Sequence, residues 1–248
     1  HLIGVILTDI SNSFFADLVK YLEQEARKAG YSLILFNSNY NLEQEAESLS
    51  VMQRYRVDGL IVVPIDAKSK RWKENIEQLL IPTVVITRKA PGLDSVYVSH
   101  RKAGAQVGRH LWEKGYREYL FFGNTKDAKY KGFAKELSGY DPYFIEHLNV
   151  ISTKKEEEIQ EALEAYFSQK RARTGIFAYN DRRAVQMMGH LKRMGIEIPK
   201  EAGLVGFDNT YICDFLYPRL SSVSQPNQEM AMLAMRRLLD KIEHSDRK

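Results

Sequence analysis

The chain has 248 residues, 44% of them apolar and 27% charged, with 15 Gly and 7 Pro; that excludes a disordered, collagen-like or low-complexity protein and leaves room for one domain or two. A formal net charge of +4 is too small over this length to mark a nucleic-acid binder by itself. The single cysteine, Cys213, excludes a disulfide framework and a cysteine-rich zinc site and suits a reducing cytoplasm, and no stretch approaches the roughly 18 apolar residues of a membrane span.

The chain opens on His1 and enters an apolar run at once, without a signal peptide or initiator Met, which is expected of a piece of a longer protein. Leu2–Thr8 reads as a strand buried on both faces, because its apolar run has no polar alternation. Phe15, Leu18, Leu22 and Ala26 then recur at helical spacing, closed by Gly30 as a C-terminal cap. Ser32–Phe36 is the next strand. Asn41 with Gln44 three residues on has the pattern of a capping box and predicts a second helix. Further buried strands are predicted at Gly59–Pro64, Thr83–Thr87, Tyr119–Phe122, Gly175–Ala178 and Leu204–Phe207, and weaker ones near Val96–Val98, Asn149–Ile151 and Leu220–Val223. Thr153 with Glu156 predicts another box, followed by an apolar stripe of Ile159, Ala162, Leu163, Tyr166 and Phe167. The alternation of strand and helix predicts a doubly wound α/β architecture with right-handed crossovers. One open sheet or two smaller ones would hold these strands equally well, since no Pro- or Gly-rich linker divides the chain.

In open α/β sheets ligands bind beyond the carboxyl ends of the strands. The residues that follow the predicted strands are Asp9 to Phe15, then Asn37-Ser38-Asn39, Asp66, Arg88-Lys89, Asn124-Thr125, Asn180-Asp181 and Asp208-Asn209. Short carboxylates and amides with two phenylalanines and an arginine can hydrogen-bond a neutral polyol and stack on its apolar face. The same residue types are also common in turns and helix caps.

Catalytic signatures are thin. The chain carries no GxGxxG, P-loop, GxSxG, HExxH or EF-hand pattern. The six histidines (1, 100, 110, 147, 190 and 244) are scattered, and none is spaced as a helical metal-ligand pair. His110 and His190 are expected as surface or packing residues and Cys213 as a packed thiol. Lys126, Lys129 and Lys131 around Tyr130, like the run from Lys68 to Lys73, are expected on solvated basic helix faces.

Several stretches together are similar to the effector-binding domain of LacI/GalR-type transcription regulators, which shares its fold with periplasmic sugar-binding proteins. They include IGVILTDISNSFFADLVKYLEQEARKAGYSLIL, VDGLIVVP, PTVVITR, AGAQVGRHLWEKGYR, KYKGFAKEL, IFAYNDRRAVQMMGHLKRMGIEIPKEAGLVGFDN and PRLSSVSQPNQEMAMLAMRRLLDKI, and they span residues 2 to about 243. The D-x-S-N-x-F-F start, the AYND turn and the VGFDN–SQP ending carry the resemblance in combination. It implies a type I periplasmic-binding-protein-like fold: two doubly wound parallel-sheet lobes with a ligand cleft between them, residues 1–117 plus 222–245 forming one and 118–221 the other. It further implies a helix-turn-helix DNA-binding domain upstream, a homodimer, contact with operator DNA through that upstream domain, a cytoplasmic location, no membrane association, no cofactor and no catalysis. The small-molecule effector, a sugar or other polar metabolite, is expected to meet Asp9, Phe14 and Phe15 from one lobe and Asn180 and Asp208 from the other, with Gln225 at the junction. Ser99 and Lys129 are also expected at the ligand, though three positions depart from the family pattern: Ser99 stands where an aspartate is common, Lys129 replaces an arginine before Gly132-Phe133 and so loses a planar bidentate fork, and Ser152 replaces a stacking aromatic. The alternatives are a solute-binding protein of a sugar transporter, or a small α/β enzyme acting on a polar metabolite.

Overall fold

A computed structural model describes residues 1–153, 155–169 and 173–245. The chain divides into two compact units, residues 1–98 with 226–248 and residues 99–225, so the polypeptide passes from one to the other at 98/99 and back at 225/226.

The first unit is built on strands β1 (Leu2–Leu7), β2 (Ser32–Asn37), β3 (Gly59–Val62), β4 (Thr83–Ile86) and β5 (Ser95–Val96), all parallel in the order β2-β1-β3-β4-β5. Helices α1 (Ser13–Lys28), α2 (Leu42–Arg54) and α3 (Lys70–Leu79) connect them. Because successive side chains of a strand point to opposite faces, β1 feeds two cores at once. Ile3, Val5 and Leu7 pack with Leu18 and Leu22 of α1, while Ile6 packs with Leu49 and Met52 of α2 and Trp72 of α3. Asn12 caps α1 and Asn41 caps α2, the latter accepting from the Glu43 and Gln44 amides. Gly30 follows the α1 C-cap with φ of +80°, a left-handed conformation that glycine enters without steric penalty.

The second unit repeats this plan with β6 (Glu118–Phe122), β7 (Leu148–Ile151), β8 (Thr174–Ala178), β9 (Ala202–Asp208) and β10 (Ser221–Ser224), parallel in the order β7-β6-β8-β9-β10. Its helices are α4 (His100–Glu113), α5 (Ala128–Tyr140), α6 (Glu156–Phe167) and α7 (Asp181–Arg193). One face of this sheet packs Leu120, Phe122 and Ile176 against α6 and α7, and the other packs Tyr119, Phe121 and Phe177 against α4 and α5. The final helix α8 (Asn227–Ser245) returns to the first unit, where Met230, Ala234 and Leu238 join the core of α1. Both sheets therefore reverse their strand order between the first and third strands of the unit, which is where doubly wound sheets open a crevice at their carboxyl ends.

All ten predicted strands form, the three weaker ones included. The division of the chain differs from the sequence expectation of breaks at 117 and 222. Helix α4 lies in the second unit because it crosses α5 backbone to backbone: a Cβ added at Gly104 would run into the Lys129 carbonyl, and one at Gly132 into the Arg101 carbonyl. Residues 222–225 lie there too, since β10 pairs with β9. Gly132→Ala should accordingly destabilise the second unit by about 1–3 kcal/mol or more, since rigid backbone must move to admit the methyl group; urea unfolding followed by tryptophan emission checks this. A second difference concerns Thr153, which bonds the Glu158 carboxylate and accepts from the Lys155 amide, while α6 begins at Glu156 behind Lys155 without a side-chain cap. The predicted box with Glu156 is not formed, because Thr153 sits too far ahead of the first helical residue.

Candidate functional site

Many of the polar strand-end residues are consumed by their own turns. Asp66 Oδ1 accepts from the Lys68 amide at 3.0 Å and Asn124 Oδ1 from the Lys126 amide at 2.8 Å. Asn37 Oδ1 accepts from the Ile10 amide at 3.3 Å, and the buried Ser38 hydroxyl donates to the Leu7 carbonyl at 3.1 Å. The first two are local side-chain-to-backbone bonds that shape loops, and the other two tie the end of β2 to that of β1, 27 and 31 residues away in sequence. Arg88 likewise donates to the Ile65 carbonyl at 3.1 Å, while the buried Glu45 accepts from the Ile65 amide at 2.8 Å. Burial raises the Glu45 carboxyl above its ordinary range, against the opposing effects of that hydrogen bond and the Arg88 charge.

In the first unit, Asp9 follows β1 half-buried, and its Oδ1 accepts from the Ser11 amide at 2.9 Å and the Ser11 hydroxyl at 2.6 Å. Phe14 and Phe15, expected at the ligand face, are 4% and 7% exposed and belong to the core of this unit, edge to face with centroids 5.1 Å apart. Their apolar character is thus explained by packing at the start of α1. What that packing does for the site is to anchor the loop that carries Asp9.

The second unit brings four of its predicted residues to the carboxyl end of its sheet. Asp208 closes β9 at only 8% exposure, and its Oδ1 accepts from the Gln225 amide nitrogen at 2.7 Å. Gln225, itself buried, keeps Oε1 without a hydrogen-bond partner among the described residues. Lys129, 3% exposed, comes from the first turn of α5; its Nζ donates to the Tyr179 carbonyl at 2.8 Å and lies 4.0 Å from the Tyr179 ring centroid and 3.8 Å from that of Phe207. Such cation–π contacts compensate a desolvated ammonium. The expectation of a solvated basic face therefore fails at Lys129, whose position opposite β8 and β9 turns it inward. Asn180 follows β8 half-buried and caps α7, its Oδ1 accepting from the Arg183 amide at 3.0 Å, which leaves its amide NH₂ as a donor. Ser99 does not join this group: it is exposed and caps α4 through the Lys102 amide at 3.3 Å.

Burial raises the Asp208 carboxyl to about 7; the Lys129 charge and the Gln225 bond oppose this, and the Asp181 charge adds to it. The backbone at Asp208 is strained as well, with φ of +111°, and Asn209 follows at +51°. A non-glycine residue in such a conformation costs of order 1–3 kcal/mol, and strain of that kind concentrates at functional positions.

Sequence reasoning passed over two residues that make this geometry. Tyr179 and Phe207 immediately precede Asn180 and Asp208, and a strand-end aromatic beside a buried lysine was the available signal. Asp181, 1% exposed, accepts from the Thr210 amide at 2.7 Å, the Thr210 hydroxyl at 2.9 Å and the Ser222 hydroxyl at 2.5 Å. Ser222 Oγ in turn accepts from the Asn209 amide at 3.0 Å, so Asp181 holds the loop that presents Asp208. Cys213 is a buried free thiol, raised by burial to about 12 and so unsuited to nucleophilic chemistry at neutral pH. His190 is also buried, held by Gln160 and Glu156 between α6 and α7, and desolvation lowers it below its ordinary value. Among the described residues no group of three or more His, Cys, Asp or Glu side chains is placed to hold a metal ion.

Two parallel sheets of identical strand order, each with polar groups gathered at its carboxyl ends, define an effector-binding domain of the periplasmic-binding-protein type. Residues 109–248 match the periplasmic binding protein-like domain family. The chain belongs to that family, and it is homologous to LacI-family regulators. It is 29% identical to the HTH-type transcriptional regulator RegA of Clostridium saccharobutylicum over 245 residues, covering 96% of this chain and 74% of that protein. It is also 29% identical to the HTH-type transcriptional repressor PurR of Edwardsiella ictaluri, over 253 residues, 97% of this chain and 73% of the repressor. A crystal structure of a periplasmic binding protein/LacI transcriptional regulator from Alkaliphilus metalliredigens complexed with D-xylulofuranose superposes with a TM-score of 0.84 at 26% identity, covering 98% of this chain and 91% of that one. No helix among the described residues is long and apolar enough to cross a membrane.

Proposed function

We propose that this chain is the sensing part of a cytoplasmic LacI-type transcriptional repressor, without catalytic activity, that binds a neutral polyhydroxylated metabolite and couples it to operator DNA. The observation that carries this reading is the buried acceptor pair at the end of β9. Asp208 and the orphaned Oε1 of Gln225 present oxygens in a dry setting, where an unmet acceptor is costly and a ligand hydroxyl meets it. Lys129 and the Asn180 amide supply donors beside them, so the set matches groups that both donate and accept, as sugar hydroxyls do. Asp9 is the half-buried polar group at the carboxyl end of β1 in the first unit. The D-xylulofuranose complex of a relative supports a sugar, and the regulators among the relatives support a DNA-linked role over a transporter component.

In this reading the chain works as a homodimer with operator DNA held by a helix-turn-helix upstream, and the effector acts only as far as it binds two conformations unequally, typically by ~1–3 kcal/mol. A thermal-shift screen against pentoses, hexoses, sugar phosphates, nucleobases and amino acids tests the ligand class. A neutral pentose or hexose should raise the melting temperature in a saturable way, by an amount equivalent to about 2.7 kcal/mol at a hundredfold excess over Kd. Shifts confined to amino acids or nucleobases would overturn the polyol assignment.

A further inference from the structure

The second unit carries another concavity, on the face of α4 and α5 rather than at the strand ends. The groove measures about 450 Å³, within the ~300–1,000 Å³ usual for small-molecule sites. Arg101 and Lys102 reach it from the first turn of α4 and Lys135 from α5, beside Gly132 where the two helices meet. None of these three cations has an ion-pair partner among the described residues. The one acid of the lining, Glu136, is already engaged: its Oε1 accepts from Arg109 Nε at 3.0 Å, Arg109 Nη2 at 2.9 Å and the Tyr140 hydroxyl at 3.0 Å. The groove therefore carries an uncompensated charge of three.

Its placement adds to that charge. The first turn of α4 contains no acidic residue, yet it holds two cations at the positive end of the helix dipole, an arrangement that an anion would relieve. The wall is firm: Tyr140 stacks on Trp112 with centroids 5.3 Å apart at 12°, and the Arg117 guanidinium lies 3.5 Å from the Trp112 ring centroid. The crossing at Gly104 and Gly132 holds the two helix backbones together, so three cationic side chains converge on one groove, which favours a compact, multiply charged ligand.

We propose that this groove is a second ligand site that takes the phosphate groups of a small phosphorylated metabolite, independently of the strand-end residues. Titration calorimetry of the whole protein with pyrophosphate as the probe, in sodium sulfate of constant ionic strength, tests it. Saturable one-to-one binding is expected, weakened at least about tenfold in the double variant Arg101→Glu/Lys135→Glu and unchanged in Asp208→Asn. Both substituted side chains are exposed, and an unaltered melting temperature of the double variant verifies its fold. Absence of saturable heat at millimolar pyrophosphate, equal binding by the double variant, or loss of binding in Asp208→Asn would each overturn the proposal. Failure of the sugar screen would leave it standing.

Discussion

Asp208→Asn should make the protein more stable at pH 8 and at the same time weaken effector binding at least about tenfold. The carboxyl titrates at 3.8 in the unfolded chain and at about 7 in the folded one. Between these values the folded state keeps a proton that the unfolded state has released. Stability therefore falls by ~1.4 kcal/mol for each pH unit through that window and reaches its floor above about pH 7. Asparagine has no charge to desolvate, so the variant's advantage should be small near pH 4 and grow to at most about 4 kcal/mol by pH 8. Urea unfolding of both proteins at pH 5, 6, 7 and 8 reads this directly. Effector affinity should move the other way, because the variant replaces a carboxylate that accepts from a ligand hydroxyl with an amide, and a hydrogen bond to a charged group contributes ~1.5–3 kcal/mol, at least about tenfold in Kd. A residue that only supports the fold would lose both together; a rise in one with a fall in the other marks a residue retained for binding at a cost to stability.

Asp181→Ala should have the largest destabilising effect of any substitution near the site. Its carboxylate satisfies the Thr210 amide, the Thr210 hydroxyl and the Ser222 hydroxyl, and removal strands all three beside a cavity. Each unmet buried group costs ~1–3 kcal/mol, partly relieved by water. A total of about 3–5 kcal/mol is expected, equivalent to a fall of roughly 6–20 degrees in melting temperature for a chain of this size. Effector binding should weaken as well, since the Ser222 hydroxyl that Asp181 holds also receives the Asn209 amide next to Asp208. Differential scanning calorimetry and titration calorimetry on the one variant check both effects. A melting temperature within two degrees of the parent would mean that the three donors find other partners.

The apolar runs placed the central strands β1, β3, β4, β6, β8 and β9 firmly, because a strand buried on both faces has no polar alternation; the partly exposed β2, β7 and β10 left a weaker pattern. Pattern was less informative for caps: Asn41 caps α2 as its spacing predicts, whereas Thr153 does not cap α6, since the same hydroxyl can serve a nearby carboxylate instead. Among the candidate site residues, Asp208, Asn180 and Gln225 were legible from the VGFDN, AYND and SQP stretches and their likeness to a known family. Lys129 stood in a run of lysines whose pattern reads as a solvated face, and only the family likeness before Gly132-Phe133 set it apart. Only the register of α5 against β8 and β9 places its ammonium between Tyr179 and Phe207.

The length and composition of the chain left one domain or two equally open, and the division turned on two glycines. Alternating apolar strands and helices determine that the protein is doubly wound α/β, because local burial patterns follow from the residues themselves. Which helix belongs to which unit was decided by the crossing of α4 and α5 at Gly104 and Gly132, an approach between distant segments that no local pattern encodes. The same holds for the site. Sequence supplies the carboxylate at 208; only the tertiary structure supplies its burial, the Gln225 bond and the opposing lysine that set its proton affinity.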